Sequence, residues 1–161
     1  MTAIQIRAAV AGDAPSILGL IQELADYEKE SDAVKTSVAD LDAALFGDSP
    51  AAFAHLAVDG DRVVGLALWF LTYSTWEGKH GIYLEDLYVS PDARGAGLGK
   101  RLIATLAALC TEREYRRLEW SVLRWNDSAI GFYDALGGTP QSDWERYRLD
   151  GEALRAVAAQ Q

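Results

Sequence analysis

Apolar positions along the chain recur with two periods, and the switches between them mark out the elements. Ile4, Ile6 and Ala8 alternate with Gln5, Arg7 and Ala9, which predicts a first strand. Ile17, Leu20, Ile21 and Leu24 then fall on one face of a helix, opened by Asp13 as cap with Pro15 in its first turn and running to about Lys29. Thr36 or Ser37 with Asp40 has the form of a capping box, and Leu41, Ala44, Leu45 and Phe46 carry a second helix that Gly47 to Pro50 ends. Residues 52–58 and 62–71 are β-rich runs around Asp59, Gly60 and Asp61, a hairpin signal. The second run is nearly all apolar, so a central strand covered on both faces is expected.

Residues 72–81 read as a loop carrying Tyr73, Trp76, Glu77, Lys79 and His80. A strand over 83–89 follows, stopped by Pro91 and Asp92, and a glycine-rich turn opens a helix with Leu98, Leu102, Ile103, Leu106, Ala107 and Leu109 at helical spacing. Residues 117–123 read as a strand. A short helix over 127–136, capped by Asn126 or Asp127 and closed by Gly137 and Gly138, leads to a last strand over 144–149 and an Ala-rich terminal helix from Gly151. This order predicts an α/β fold: a mixed, mostly antiparallel central sheet with helices on both faces.

At 161 residues, half of them hydrophobic, the chain is expected to form a single domain over residues 1–161. No run of eighteen apolar residues and no basic, apolar leader stands in it, so a cytoplasmic protein is the default expectation. The formal charge of −9 argues against binding a phosphate backbone and favours encounter with a small cation. A single Cys110, falling in the apolar stripe of the third helix, reads as a buried structural thiol. With only His55 and His80 beside it, no metal site is expected.

The chemistry gathers where the strand over 83–89 feeds Arg94-Gly95-Ala96-Gly97-Leu98-Gly99-Lys100. A strand, a glycine-rich turn and a helix N-terminus form a device for holding an anion, because the first-turn amides are free and the dipole favours negative charge. Neither common nucleotide loop is present, since Arg101 stands where a P-loop has its hydroxyl and Gly-x-Gly-x-x-Gly is absent. Arg94-x-x-Gly97-x-Gly99 resembles the pyrophosphate-binding loop of the GNAT superfamily of N-acetyltransferases. Trp125-Asn126-Asp127-Ser128 through Phe132-Tyr133 resembles the second half of that superfamily's coenzyme A site.

Acetyl transfer from a thioester to an amine requires a neutral amine, a polarised carbonyl and a proton for the departing thiolate. Glu85 and Asp86 are carboxylates in an otherwise apolar strand, where burial is costly unless they are hydrogen-bonded or used. Alternation puts them on opposite faces, so only one can face the reaction centre unless a bulge intervenes. Tyr133 is a phenol that stays protonated at neutral pH and can donate to a leaving thiolate.

Several stretches together are similar to the diamine (spermidine/spermine N1-) and thialysine acetyltransferase branch: residues 23–28, Trp76-x-Gly78-Lys79, residues 83–86, the 94–99 turn and residues 125–133. The resemblance implies acetyl-CoA as donor and a small diamine, polyamine or thialysine-like amine as acceptor, joined by direct transfer in a ternary complex. It implies Tyr27, Glu28, Trp76, Glu85 and Asp86 as substrate contacts, with Glu85 receiving or relaying the amine proton. Leu87, Tyr88 and Val89 would meet the pantetheine, Arg94, Gly95, Ala96, Gly97, Leu98, Gly99 and Lys100 the pyrophosphate. Asn126 and Ser128 would complete the cofactor cleft, and Tyr133 would be the proton donor. A homodimer is the usual state of such relatives, with no nucleic acid or membrane as partner. Ser74 stands where polyamine enzymes of the branch carry an acidic residue, and the stretch over 138–144 is shorter, which shifts weight to a short diamine or an amino acid with an amine tail. Another acceptor, such as a protein N-terminus or an aminoglycoside, and a non-catalytic acyl-CoA-binding module remain alternatives.

Overall fold

The computed structural model describes residues 3–161 and divides the chain into two compact units, one ending at Ser121 and the other Val122–Gln161. The first unit is built on one sheet. Its strands, β1 (Gln5–Ala8), β2 (Phe53–Asp59), β3 (Arg62–Ser74), β4 (Lys79–Val89) and β5 (Leu118–Trp120), lie in chain order, antiparallel except for the parallel β4–β5 pair. β3 is central and its middle is buried from Val64 to Trp69, as its apolar run predicts.

Two helices cover one face. α1 (Ala14–Tyr27) and α2 (Val38–Phe46) bring Ala14, Ile17, Leu20, Leu41 and Leu45 against Ala54, Leu56, Leu66, Leu68 and Tyr88. Burying that apolar stripe at about 25 cal/mol per Å² outweighs the weak intrinsic stability of helices this short. α3 (Leu98–Glu112) covers the other face, where Leu98 packs with Ala57 and Val64. The two sheets of contacts explain Gly65: a Cβ there would stand 3.0 Å from the Ala57 Cβ and 3.3 Å from Leu102 Cδ1, so the helix approaches the sheet closely only because the residue is glycine.

Helix starts follow the local sequence. Ser37 Oγ accepts from Asp40 N at 3.1 Å while Asp40 Oδ2 accepts from Ser37 N at 2.9 Å, the expected capping box. Asp13 stands at the start of α1 with Pro15 in the first turn, but its carboxylate caps no helix amide. It accepts instead from Val10 N at 2.8 Å and from both Arg7 nitrogens at 2.7 and 3.0 Å. That charge-assisted pair is stronger than a neutral cap, so it takes the carboxylate and ties β1 to α1.

The loop expected over 72–81 is shorter in the structure. β3 runs to Ser74 and β4 starts at Lys79, pairing Thr72 with Gly81, Tyr73 with His80 and Ser74 with Lys79, because the β-prone residues of the loop's two arms complete a ladder once they face each other. The strand expected over 117–123 is confined to Leu118–Trp120. Cys110 is free and buried, and its Sγ donates to Arg117 O at 3.6 Å.

The second unit contains α4 (Asp127–Ala135) and α5 (Gly151–Ala158). Asn126 caps α4, its Oδ1 accepting from Ala129 N at 3.3 Å. Gly137 closes it with φ at 89° while Gly138 N donates to Tyr133 O at 3.0 Å, a Schellman-type end that needs the left-handed conformation. The strand expected over 144–149 does not form: Trp144 and Tyr147 are 69% and 93% exposed. A strand needs a ladder partner, and among the described residues this unit has no strand to supply one.

Candidate active site

β4 is the element that gathers the candidate groups, and a single irregularity decides how. Leu68 pairs with Asp86 and Trp69 with Leu84, so adjacent residues of β3 face residues two apart on β4 and Glu85 is the extra one. Leu68 and Trp69 point to opposite faces of the sheet; so, therefore, do Asp86 and Leu84, which regular alternation would have put on the same face. Regular pairing keeps Asp86 on the face covered by α1, with Leu68 and Tyr88, while the bulge puts Leu84 on the opposite face and leaves Glu85 exposed at its crest.

Glu28 caps the C-terminal end of α1, and the next residues close it tightly, with Lys29 at φ 64° and Glu30 N donating to Ala25 O at 2.8 Å. Three carboxylates consequently feel one another's charge. Burial first, then Glu85 and then Glu28 push the Asp86 carboxyl up to about 6. Glu28 is raised by burial, then by Glu30 and Glu85. Among the described residues no hydrogen-bond donor or cationic partner answers the Asp86 carboxylate, which is only half-buried.

The far half of β4 has an open side. β5 pairs with it from Ile82 to Leu84, so among the described residues the length Glu85–Val89 has no strand neighbour there. An amide-bearing chain can add along such an edge. At its end the turn expected to hold an anion is built as the sequence implies. Gly95 and Gly97 have φ of 93° and 69°, and a Cβ on either would meet nothing within 4 Å, so the glycines are needed for backbone shape and the space above them is open. The first helical bond of α3 runs from Arg101 N to Gly97 O at 3.0 Å, which leaves the amides of Leu98, Gly99 and Lys100 without an acceptor inside the helix. These features fit a pantetheine arm and a diphosphate.

Arg94 does not project away from the strand. Its Nε donates to Val89 O at 3.0 Å and its guanidinium lies 5.8 Å from the Tyr27 ring centroid and 5.5 Å from that of Tyr88, linking the turn to α1. Burial raises the Tyr88 phenol first, and Glu23 adds to it.

Trp76 is not in this group. It stands 82% exposed on the β3–β4 turn, six strand residues beyond Glu85, roughly 20 Å at strand rise. Glu77 beside it accepts from Arg116 at 3.1 Å and is paired with Arg117 at 3.6 Å, so the small cleft lined by Thr72, Tyr73, Glu77, His80, Arg116 and Arg117 is a clasp holding the hairpin end to the start of β5. Asn126, Ser128 and Tyr133 belong to the second unit. Asn126 and Tyr133 are two turns apart on one side of α4, and Tyr133 is half-buried beside Phe132, ring centroids 5.4 Å apart. The contribution of Leu68 was not legible beforehand, because it is only its register with Asp86 that reveals the bulge.

A family model described as the acetyltransferase (GNAT) family matches residues 18–137. The chain is 42% identical to the thialysine N-epsilon-acetyltransferase of Bos taurus, over 98% of this chain and 99% of that one. It is 34% identical to the spermidine/spermine N(1)-acetyltransferase-like protein 1 of Homo sapiens, over 98% of this chain and 24% of that protein. Among solved structures, an integron cassette protein from the mobile metagenome of V. cholerae, VCH_CASS6, superposes with a TM-score of 0.82 at 27% identity, covering 98% and 99% of the two chains.

Proposed function

The chain belongs to the acetyltransferase (GNAT) family, and we propose that it moves an acetyl group from acetyl-CoA to the primary amine of a small acceptor of the thialysine or diamine type, by direct attack with both molecules bound. The observation that carries the acceptor class is the meeting of Glu28, Glu85 and Asp86 beside the open length of β4. An alkylamine is mostly protonated at neutral pH, and three neighbouring carboxylates draw it in.

Acetyl-CoA supplies the activated thioester. Leu87, Tyr88 and Val89 offer their backbone to its pantetheine, and the amides from Gly95 to Lys100, with Arg94, hold its diphosphate. Asn126 and Ser128, in the second unit, are the further cofactor contacts proposed. Glu85 receives or relays the ammonium proton, and the Tyr133 Oη–H is the proton source for the departing sulfur. Tyr27, Glu28 and Asp86 bind the acceptor. Residues 1–161 act as one domain, in the cytoplasm, as a homodimer. Ser74 at the hairpin end brings no negative charge, which favours a short diamine or an amino acid with an amine tail over a long polycation.

A thiol-release assay with acetyl-CoA across thialysine, lysine, ornithine, putrescine, spermidine, an aminoglycoside and a peptide N-terminus tests this reading. Release is expected with the small amines, fastest with thialysine or a short diamine. Release confined to the aminoglycoside or peptide rejects the acceptor class, and acetyl-CoA binding without release for any amine makes the chain a binding module.

A further inference from the structure

We propose that Asp86, and not Glu85, is the group that takes the proton from the acceptor's ammonium, with Glu85 attracting the cation. The inference rests on the reading above and divides a labour which that reading leaves to one residue.

Register carries the argument. Because Leu68 pairs with Asp86 and Trp69 with Leu84, Asp86 is held in register on the α1 face and Glu85 is the unpaired extra residue. Glu85 sits exposed at the crest, where water competes for its charge and a cation arriving from solvent meets it first. Asp86 is half-buried on the α1 face between Leu68 and Tyr88, and among the described residues no donor or cation answers its carboxylate. A half-buried strand carboxylate without a partner is costly, and the cost is relieved by taking up a proton. The charged groups acting on it are Glu85 from its own strand and Glu28 from the end of α1, both of which oppose its ionisation. An acid whose ordinary value lies near 4 is thereby brought to about 6, close to the working pH at which a general base is most effective.

The proton balance is simple. The ammonium N–H bond breaks, its electron pair stays on nitrogen as the nucleophilic lone pair, and an O–H bond forms on Asp86; the proton returns to water after the acetylated product leaves. No oxidant or further reactant is needed. Register gives the division of labour its geometry, since regular pairing keeps Asp86 on the α1 face with Tyr88 while Glu85 is the extra residue of the bulge.

Two measurements test it. The first is the pH dependence of kcat/KM for thialysine in the wild type, Asp86→Asn and Glu85→Gln, by thiol release. The wild type is expected to lose activity below an acid limb near pH 6. Asp86→Asn is expected to lose that limb and more than about tenfold in kcat, with acetyl-CoA KM unchanged within roughly twofold. Glu85→Gln is expected to keep the limb and raise the amine KM. Asp86→Asn with kcat within twofold of wild type and the same limb overturns the proposal; so does a limb lost in Glu85→Gln alone. The second measurement is the carboxyl carbon NMR titration of Asp86 in the wild-type protein with and without an unreactive alkylammonium. It needs neither turnover nor a variant that folds. A midpoint near 6 that falls when the ammonium binds supports the proposal, and a midpoint near 4 or one indifferent to the ammonium overturns it. Absence of turnover with every amine, alongside the expected titration, would instead reject the acceptor class.

Discussion

Asp86 makes a stability cost out of a functional placement. Its folded value of about 6 lies above the ordinary 3.8, so the stability it contributes is complete below the ordinary value and is lost as pH rises through about 6. Asp86→Asn should therefore stabilise the protein at pH 7.5 by on the order of 1–3 kcal/mol, a gain nearly absent at pH 4. Urea unfolding at the two pH values reads this directly, and an equal effect at both would contradict the placement. Asp13 has the opposite sign: the Arg7 guanidinium holds its carboxyl below the usual range, so its contribution is present at neutral pH and is lost as pH falls toward that lowered value. At the other end of the proposed chemistry, Tyr133→Phe is expected to lower kcat more than about tenfold while acetyl-CoA affinity is kept, because a phenylalanine preserves the ring beside Phe132 and removes only the donor. Unchanged turnover would remove Tyr133 from the account.

At the scale of elements, the α3 N-terminus offers the sharpest test of the anion-holding turn. Gly97 has φ 69° with open space around it, so Gly97→Ala meets no clash but strains the backbone by about 1–2 kcal/mol. Relaxing that strain misaims the amides of Leu98 to Lys100, and acetyl-CoA binding by calorimetry should weaken roughly fivefold or more. An unaltered Kd would mean that the turn holds nothing. Much of this element was legible beforehand, because Ser37 with Asp40, Asn126, Gly97 and Gly137 carry their geometry in the local chain. What the sequence could not disclose depends on partners distant in the chain. The bulge at Glu85 exists only through the register with Leu68 and Trp69, and the arms of the 72–81 loop become strands only by pairing with each other. The alternation over 144–149 reads as a strand, yet alternation supplies no ladder partner.

For the molecule as a whole, the distribution of charge and apolar surface matters more than any one contact. A net charge of −9 gathers cations from solution, so kcat/KM for a cationic acceptor should fall as salt rises from about 50 to about 500 mM, across which the screening length shortens through ~10 Å, while that for acetyl-CoA does not fall in step. Among the described residues, eight of the thirteen exposed large hydrophobics lie in Val122–Gln161, Trp144, Tyr147, Leu154 and Val157 among them, and no residue of that unit is buried. Such surface calls for cover, and the homodimer proposed above predicts a light-scattering mass of twice the 17.6 kDa chain. A mass of one chain at micromolar concentration would refute it.

The central claim is that the acetyl group passes directly between two molecules held together on this chain. Initial velocities of thiol release measured with acetyl-CoA and thialysine varied against each other test it most directly. The account predicts double-reciprocal lines that intersect, as a ternary complex requires; parallel lines, which report an acetylated enzyme between two half-reactions, would contradict it.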